Sequence, residues 1–351
     1  MNRDLLRLDG LPVYQNKRFP TADAARACPR GDFRLVQDAA TGFVHNAAFD
    51  SSLLAYDPSY QNEQAHSPSF RTHLEEVLGL IDLHFRGRSV LEVGCGKGAF
   101  VEMMRGRGHD VRGVDPAYEG SDPLIEKALF APGSSLHADA IVMRHTLEHI
   151  PDPLAFLATI RDANRGRGLI YIEVPCLDWI LTHRAWFDFF YEHVNYFRLD
   201  DFTRMFGTVH AAGRLFGGQY LFAVAELASL RDQALPHAEP VAFPPDLFSA
   251  LDSASAASVG TGAAIWGAAA KGVMFAHHAT RRGIDIDFAI DINPAKQSSF
   301  LAGTGLEVLS PDRGLAQLKA GDRIFVMNSN YADEIARLGG DQFTYVIVDR
   351  P

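Results

Sequence analysis

Cysteine is scarce in this chain: Cys28, Cys95 and Cys176 are the three in 351 residues, far apart and odd in number. That set excludes a disulfide framework and a clustered thiolate metal site, and it suits a reducing compartment. No apolar run reaches the length of a membrane span. The opening residues, MNRDLLRLDG, lack the apolar stretch of a secretory signal. These absences lead us to expect a cytoplasmic protein with no membrane partner. Clusters of Lys and Arg are also missing and the formal net charge is −10. Phosphate binding draws on such clusters, so a nucleic-acid partner is not expected. What is present is ordinary for a globular chain, 47% apolar and 22% charged, with length enough for two domains.

Against that background residues 89–115, SVLEVGCGKGAFVEMMRGRGHDVRGVD, stand out. Val90, Leu91 and Val93 form an apolar run, and Gly94, Gly96 and Gly98 follow at two-residue spacing. Residues 99–105 show helical spacing, with Phe100, Val101 and Met104 on one side. A second strand over 111–114 finishes at Asp115. A turn without side chains lets a ligand touch backbone N–H groups at a helix N-terminus. A carboxylate at the end of the next strand can hold a ribose through its hydroxyls. The dinucleotide fingerprint is G-x-G-x-x-G, whereas the spacing here is G-x-G-x-G with Glu92 ahead of it. That form resembles motif I of the S-adenosylmethionine-dependent methyltransferases of the doubly wound class. The resemblance implies S-adenosylmethionine as cofactor, held around Glu92, Gly94, Gly96, Gly98 and Asp115.

The surrounding pattern alternates strand and helix. A hairpin is expected over 32–36 and 42–44, and an amphipathic helix over 72–83. A short strand is expected at 128–130, and a buried one at 140–143. A helix follows from Pro153 with Asp152 as N-cap, then a strand at 168–174. A helix capped by Asp200 or Asp201 is expected over 198–206, and a late, antiparallel strand over 217–226. The proline-rich stretch LPHAEPVAFPPD marks a boundary, with a helix after it at 247–257. A second α/β unit follows. Its strands are expected at 263–266, 285–290, 306–309, 323–327 and 345–348, with the small-residue turn GAAAKG leading into a helix at 273–281. The fold class is therefore α/β: a doubly wound class I sheet followed by a second, smaller Rossmann-like α/β domain. We divide the chain into an N-terminal segment (1–72), a donor-binding domain (73–245) and a C-terminal domain (246–351). Ligands in such sheets lie at the carboxyl ends of strands, where Gly94, Asp115, His145 and Pro175 fall.

Four stretches together, VLEVGCGKGAF, RHTLEHIPDP, YEHVNYF, and GAAAKG with IDINPAKQ, resemble the sugar C-methyltransferases of bacterial deoxysugar pathways. In that family a C-terminal α/β domain helps to hold a nucleotide-diphosphate sugar, which is the small-molecule partner implied here. The family also carries an N-terminal zinc region with two cysteine pairs. This chain keeps only Cys28 there and has Ala39 and Thr41 where further thiols are expected, so no metal is implied. His145 and His149 are four apart, but the zincin order is H-E-x-x-H and no third ligand is evident in sequence.

The resemblance implies a chemistry. C-methylation of a ketosugar needs a base for the proton beside the carbonyl, a donor for the enolate oxygen, and a methyl sulfonium in line with the carbanion. The family's Y-x-E-H block falls on Phe190, Glu192 and His193. His193 is then the base and Glu192 its partner, while Phe190 stands where the family has Tyr and can neither give nor take a proton. Tyr60, Asn195 and Gln219 are candidates for the missing donor. His145 is expected to line the methyl-donor pocket and His149 to bond across its turn. Tyr60, Asn62 and Gln64 match groups around the amino-acid end of the donor. Gly267, Lys271, Asp291, Asn293, Lys296 and Asn330 match the substrate side, where Lys271 or Lys296 could reach a diphosphate. Two alternatives stay open: an O- or N-methyltransferase acting on a small metabolite or glycan, and a donor-binding but inactive scaffold.

Overall fold

The protein is described by a computed structural model covering residues 2–55, 59–61, 63–231, 235, 238–249, 251 and 262–349. Three sheets carry it. The first has the order β1 (Arg3–Pro12), β2 (Arg30–Gln37), β3 (Val44–Asn46), β9 (Asn195–Tyr196), antiparallel throughout. The second has seven strands in the order β10 (Val209–Leu215), β11 (Tyr220–Glu226), β8 (Leu169–Pro175), β7 (Ala140–Arg144), β4 (Ser89–Val93), β5 (Asp110–Val114), β6 (Ile125–Glu126). Strands β4 to β8 pair in parallel, and β10 and β11 return antiparallel at one edge. The third is fully parallel, in the order β14 (Val308–Leu309), β13 (Phe288–Ile290), β12 (Ala263–Trp266), β15 (Arg323–Val326), β16 (Thr344–Ile347). This is the expected α/β architecture, a doubly wound class I sheet and a smaller Rossmann-like unit.

The two parallel sheets share one topology. In each, the first strand (β4 or β12) lies between its successor and a later strand, so the strand order reverses beside it. A crevice opens at such a reversal. Central strands covered on both faces must be apolar along their length, which is why AIVM of β7 and AAIW of β12 are wholly buried.

Local signals explain most boundaries. The helix Pro68–Phe85 starts one turn before the expected 72–83, because the Ser67 side chain accepts from Phe70 N and Pro68 occupies the first turn. Asp152 caps Pro153–Ala163 through Ala155 N, as expected. The expected cap of the next helix is corrected. Leu199–Met205 has Arg198 at its N-cap, and Asp201 sits three residues on, its carboxylate accepting from the Arg198 N–H at 2.8 Å. The strand expected at 128–130 is also corrected. Ile125 and Glu126 pair with β5 instead; Phe130 is buried but belongs to no strand, and Leu129 stays exposed. The helix expected at 247–257 lies largely outside the described residues. Among the described residues no helix is long and apolar enough to cross a membrane.

The aromatic stretch after β8 is core. Trp186, Phe187, Phe189, Tyr191 and Phe197 are all fully buried. Phe189 packs on Phe33 of the first sheet at 6.2 Å between ring centroids. Trp186 stacks on Phe275 of the helix Ala270–Arg281 at 5.9 Å. One block thus joins the small antiparallel sheet to the C-terminal unit. The turn between β2 and β3, which spans Ala39 and Thr41, is held by Asp38, whose carboxylate accepts from Ala40 N, Thr41 N and Thr41 Oγ1.

Two glycines give opposite expectations. A Cβ on Gly272 would collide with the Gly267 carbonyl oxygen, which is backbone and cannot step aside. Gly272→Ala should cost about 1–3 kcal/mol in urea unfolding. Gly79 lies in the exposed helical stretch with nothing within 4 Å of an added Cβ. Gly79→Ala should stabilise by about 0.5–1 kcal/mol. Equal effects of the two changes would contradict the packing described.

Candidate functional site

The donor turn forms as its sequence requires. Gly94, Gly96 and Gly98 all have positive φ (79°, 56° and 87°), and Gly98 opens the helix Ala99–Gly106 without a side-chain cap. A Cβ on Gly94 would strike Thr146 Oγ1, and one on Gly98 would strike Ile125 Cδ1. Asp115 follows β5 and turns back on the loop. Its carboxylate accepts from Gly96 N at 2.8 Å and from Ala117 N at 2.7 Å. The glycines and the acid are therefore brought together. Glu92 lies beneath, fully buried on β4. Burial pushes its carboxyl up to about 8, against the pull of Arg144. Arg144 runs on to Glu173, 3.2 Å from Nη2 to Oε1.

A cavity of about 1260 Å³, open solvent included, lies at the carboxyl ends of both parallel sheets. Its walls bring together residues from across the chain: Tyr60 and Gln64; His145 and Phe190; His193; and Gly267, Lys271, Asp291, Asn293 and Lys296. Five of the expected donor-site residues, Glu92, Gly94, Gly96, Gly98 and Asp115, do not line it. Tyr60 and Gln64, expected at the donor, line this cavity, with Tyr331 Oη donating to Gln64 Oε1 at 3.3 Å. Asn330 sits behind the wall, its Nδ2 donating to Phe216 O at 2.9 Å and to Gln219 Oε1 at 3.2 Å. Asn62 lies outside the described residues.

The second glycine turn copies the first. Asp291 follows β13, and its carboxylate accepts from Ala268 N at 2.8 Å and from Asn293 N at 2.8 Å. The two lysines of the substrate side already face acids. Lys271 Nζ is 3.0 Å from Asp188, and Lys296 Nζ is 3.9 Å from Asp291. Asp188 escaped the sequence reading. It lies 83 positions from Lys271 in an apolar run, and no spacing rule connects the two.

Glu192 is fully buried but does not face His193. Its carboxylate accepts from Gln15 N at 2.7 Å and from Tyr60 Oη at 3.1 Å. The carboxylate nearest His193 is Glu148, 3.9 Å from Nε2 to Oε1. Adjacent residues in a non-helical turn point apart, which is why Glu192 and His193 separate. His193 packs against Phe190 in a tilted pair, 3.9 Å between centroids. Burial, with the charges of His149, His145 and Lys271, holds its imidazole well below the usual range, so it is neutral near pH 7. His145 has the opposite character. Burial opposes its charge, but Glu148 and Glu173 outweigh that and raise it to about 9. It also adopts φ 48°, a left-handed conformation that costs energy for a non-glycine residue. His149 Nδ1 lies 2.9 Å from Glu192 O. Of the candidates for the missing Tyr, Tyr60 and Gln219 line the cavity, whereas Asn195 turns away and donates to Ile150 O at 2.6 Å. Glu148, His149 and His193 each bring one metal-capable atom to within 4.8 Å of the other two. His145, the other histidine of H-T-L-E-H, is not part of this group.

The sheet order, the glycine turn and the strand-end acid define a class I S-adenosylmethionine-dependent methyltransferase. Residues 55–212 match the family model described as a methyltransferase domain, and residues 244–341 match the C-methyltransferase C-terminal domain. The chain thus carries a methyltransferase domain followed by a C-methyltransferase C-terminal domain. It is 26% identical over 299 residues to C-methyltransferase NovU of Streptomyces niveus, covering 74% of this chain and 70% of that protein. It is 36% identical over 118 residues to a ubiquinone biosynthesis O-methyltransferase of Aliivibrio fischeri, covering 28% of this chain and 47% of that protein. The crystal structure of a magnesium protoporphyrin IX methyltransferase from Synechocystis aligns over 45% of this chain and 83% of its own, at 14% identity and a TM-score of 0.36.

Two measurements test the donor half. Asp115→Ala should weaken adenosylhomocysteine binding by at least about tenfold in calorimetry, the size of a lost charged hydrogen bond. Glu92 takes up a proton on folding, so its contribution is complete at pH 4 and is lost as pH rises towards about 8. Wild type should therefore lose on the order of 2–4 kcal/mol more than Glu92→Gln between pH 5 and pH 8.5 in denaturant unfolding. Parallel pH profiles would contradict a protonated Glu92.

Proposed function

We propose that this enzyme transfers the methyl group of S-adenosylmethionine to carbon in a nucleotide-activated ketosugar. One observation carries the reading. The cavity is walled by the methyltransferase sheet on one side and by the second glycine turn on the other, with His193 between them. An acceptor with a reactive ring at one end and a nucleotide at the other suits a cavity of two such halves. Lys271 and Lys296 are the cations within reach of a diphosphate there, each shared with an acid. The relative NovU, by its name a C-methyltransferase, supports transfer to carbon. A nucleotide-linked acceptor and three reduced, buried cysteines support a reaction in the cytoplasm.

In this reading neutral His193 takes the proton from the carbon beside the ketone. The carbanion attacks the methyl carbon, the carbon–sulfur bond breaks, and adenosylhomocysteine leaves. A base with a lowered pKa is weak, so the enolate oxygen needs a strong donor. Tyr60 supplies it in place of the Tyr that Phe190 replaces. Its phenol lines the cavity, gives its one proton to Glu192 at 3.1 Å and accepts from Asn16 Nδ2 at 3.3 Å, so the O–H turns from the carboxylate to the enolate oxygen as the acceptor binds. The geometry thus supports Glu192 as the positioning group of Tyr60 rather than of His193.

The test is solvent deuterium exchange at the carbon beside the ketone, with adenosylhomocysteine bound and a panel of nucleotide 4-ketosugars. Exchange should be lost in His193→Ala and should fall by roughly 10²–10³-fold in Tyr60→Phe, the usual effect of removing one oxyanion donor. Exchange that survives His193→Ala removes His193 as the base. Turnover with hydroxyl acceptors but with no ketosugar would move the reaction to oxygen.

A further inference from the structure

We propose that Glu148, His149 and His193 form a binding site for one divalent first-row transition ion on the wall of the acceptor cavity. The inference rests on the side-chain cluster and does not depend on the identity of the acceptor.

The first observation is convergence. The three side chains each bring one donor atom within 4.8 Å of the others, from two separate parts of the chain. Glu148 and His149 lie in the short turn after β7, and His193 comes from the aromatic stretch that packs against it. Two ligands at about 2.0–2.2 Å from one ion stand no more than about 4.4 Å apart. Loading therefore draws the cluster together by a few tenths of an ångström, within reach of small side-chain rotations.

The second observation is an unmet need. Glu148 is 1% exposed, and among the described residues neither of its carboxylate oxygens has a hydrogen-bond partner. The nearest nitrogens, His145 Nδ1 and His193 Nε2, stand at 3.5 and 3.9 Å, too far for a good hydrogen bond. The neighbouring His145 offsets part of its charge, but both oxygens keep lone pairs that no donor fills, which is costly for a buried carboxylate and leaves them open to a metal ion. His193 Nδ1 is likewise buried with no hydrogen-bond partner among the described residues.

The third observation concerns orientation. His149 Nδ1 is 2.9 Å from the Glu192 carbonyl oxygen. A carbonyl accepts only from a protonated nitrogen, so the proton sits on Nδ1 and the lone pair on Nε2. This is how ring orientation and tautomer are set behind histidine ligands. Phe190, which replaces the expected Tyr, packs tilted against the His193 ring at 3.9 Å and restrains it.

Two imidazoles and one carboxylate favour zinc, cobalt or manganese over magnesium, which prefers oxygen ligands. Three protein ligands leave open positions, and all three residues line the cavity, so these positions face the acceptor. An ion held there occupies a His193 lone pair. Metal ligation and proton abstraction by His193 then exclude each other, and occupancy of the site switches the proton-transfer step off.

The experiment titrates chelator-stripped full-length protein with Co²⁺, followed by visible absorption, and with Zn²⁺ by calorimetry. One ion per chain is expected, with Mg²⁺ at least about tenfold weaker. Glu148→Gln and His149→Ala should each weaken Co²⁺ binding by about tenfold or more. Both should keep adenosylhomocysteine binding, which shows that they fold. Asp115→Ala should keep the ion while losing the donor. Absence of a stoichiometric ion, Mg²⁺ binding as tight as Co²⁺, or unchanged affinity in both cluster variants overturns the site. Zn²⁺ should suppress the deuterium exchange, and exchange indifferent to saturating Zn²⁺ overturns the placing of His193 among the ligands. An ion that binds and is required for turnover keeps the site but removes His193 as the base, so the two proposals fail separately.

Discussion

Glu173 carries a charge with no access to water, and the site is built around keeping it satisfied. It lies on β8 at 0% exposure. His73 Nε2 reaches it at 3.1 Å from the helix Pro68–Phe85, His145 Nε2 at 3.0 Å, Arg144 Nη2 at 3.2 Å, and Tyr171 Oη donates to it at 2.7 Å. Burial alone would raise its carboxyl, but Arg144 and the two histidines hold it well below the usual carboxylate range. An uncompensated charge there would cost several kcal/mol, so these partners are held in register. Arg144 carries the coupling to Glu92 beneath the donor turn, and His145 carries it to Glu148 at the cavity. One buried acid thereby links the donor turn to the cavity.

The same economy of buried charge explains the other side of the cavity. Lys271 reaches out of the C-terminal unit to Asp188, packed over the rings of Trp179 and Phe187 at 5.2 and 5.5 Å. Glu334 reaches back to accept from Ser67 Oγ at 2.7 Å and Ser69 Oγ at 3.0 Å, at the start of the helix beneath the donor sheet. Asn293 Nδ2 donates to Glu63 O at 3.2 Å. Each contact joins residues more than 80 positions apart, and together they fix the two walls against each other. The N-terminal segment has a related task. The Gln15 backbone N–H and the Tyr60 hydroxyl hold the Glu192 carboxylate, so this segment shapes the cavity wall.

Local chemistry was legible residue by residue. The glycines at 94, 96 and 98 adopt the positive φ that their spacing implied, and Asp115 meets them. Pro153 after Asp152 marked a helix start, because proline and a capping acid act through bonds a few residues long. The cap at Arg198 and the strand at Ile125 were misread for the complementary reason. Asp201 looks the same in sequence whether it caps its own helix or reaches back from its third position. A strand of two residues is decided by its partner, not by its own pattern.

Taken alone, the sequence determined the methyl donor, the α/β class and the presence of a second glycine turn with its strand-end acid. Those features depend on backbone freedom and short-range periodicity, and both are written in adjacent residues. Tertiary structure alone decided who faces whom. It turned Glu192 to Tyr60 and away from His193, set Glu148 beside His193, paired Lys271 with Asp188, and brought Tyr60 and Gln64 to the wall of the shared cavity. The physical reason is burial. A side chain removed from water must find its partner wherever packing brings one, and packing brings together residues that sequence spacing does not relate.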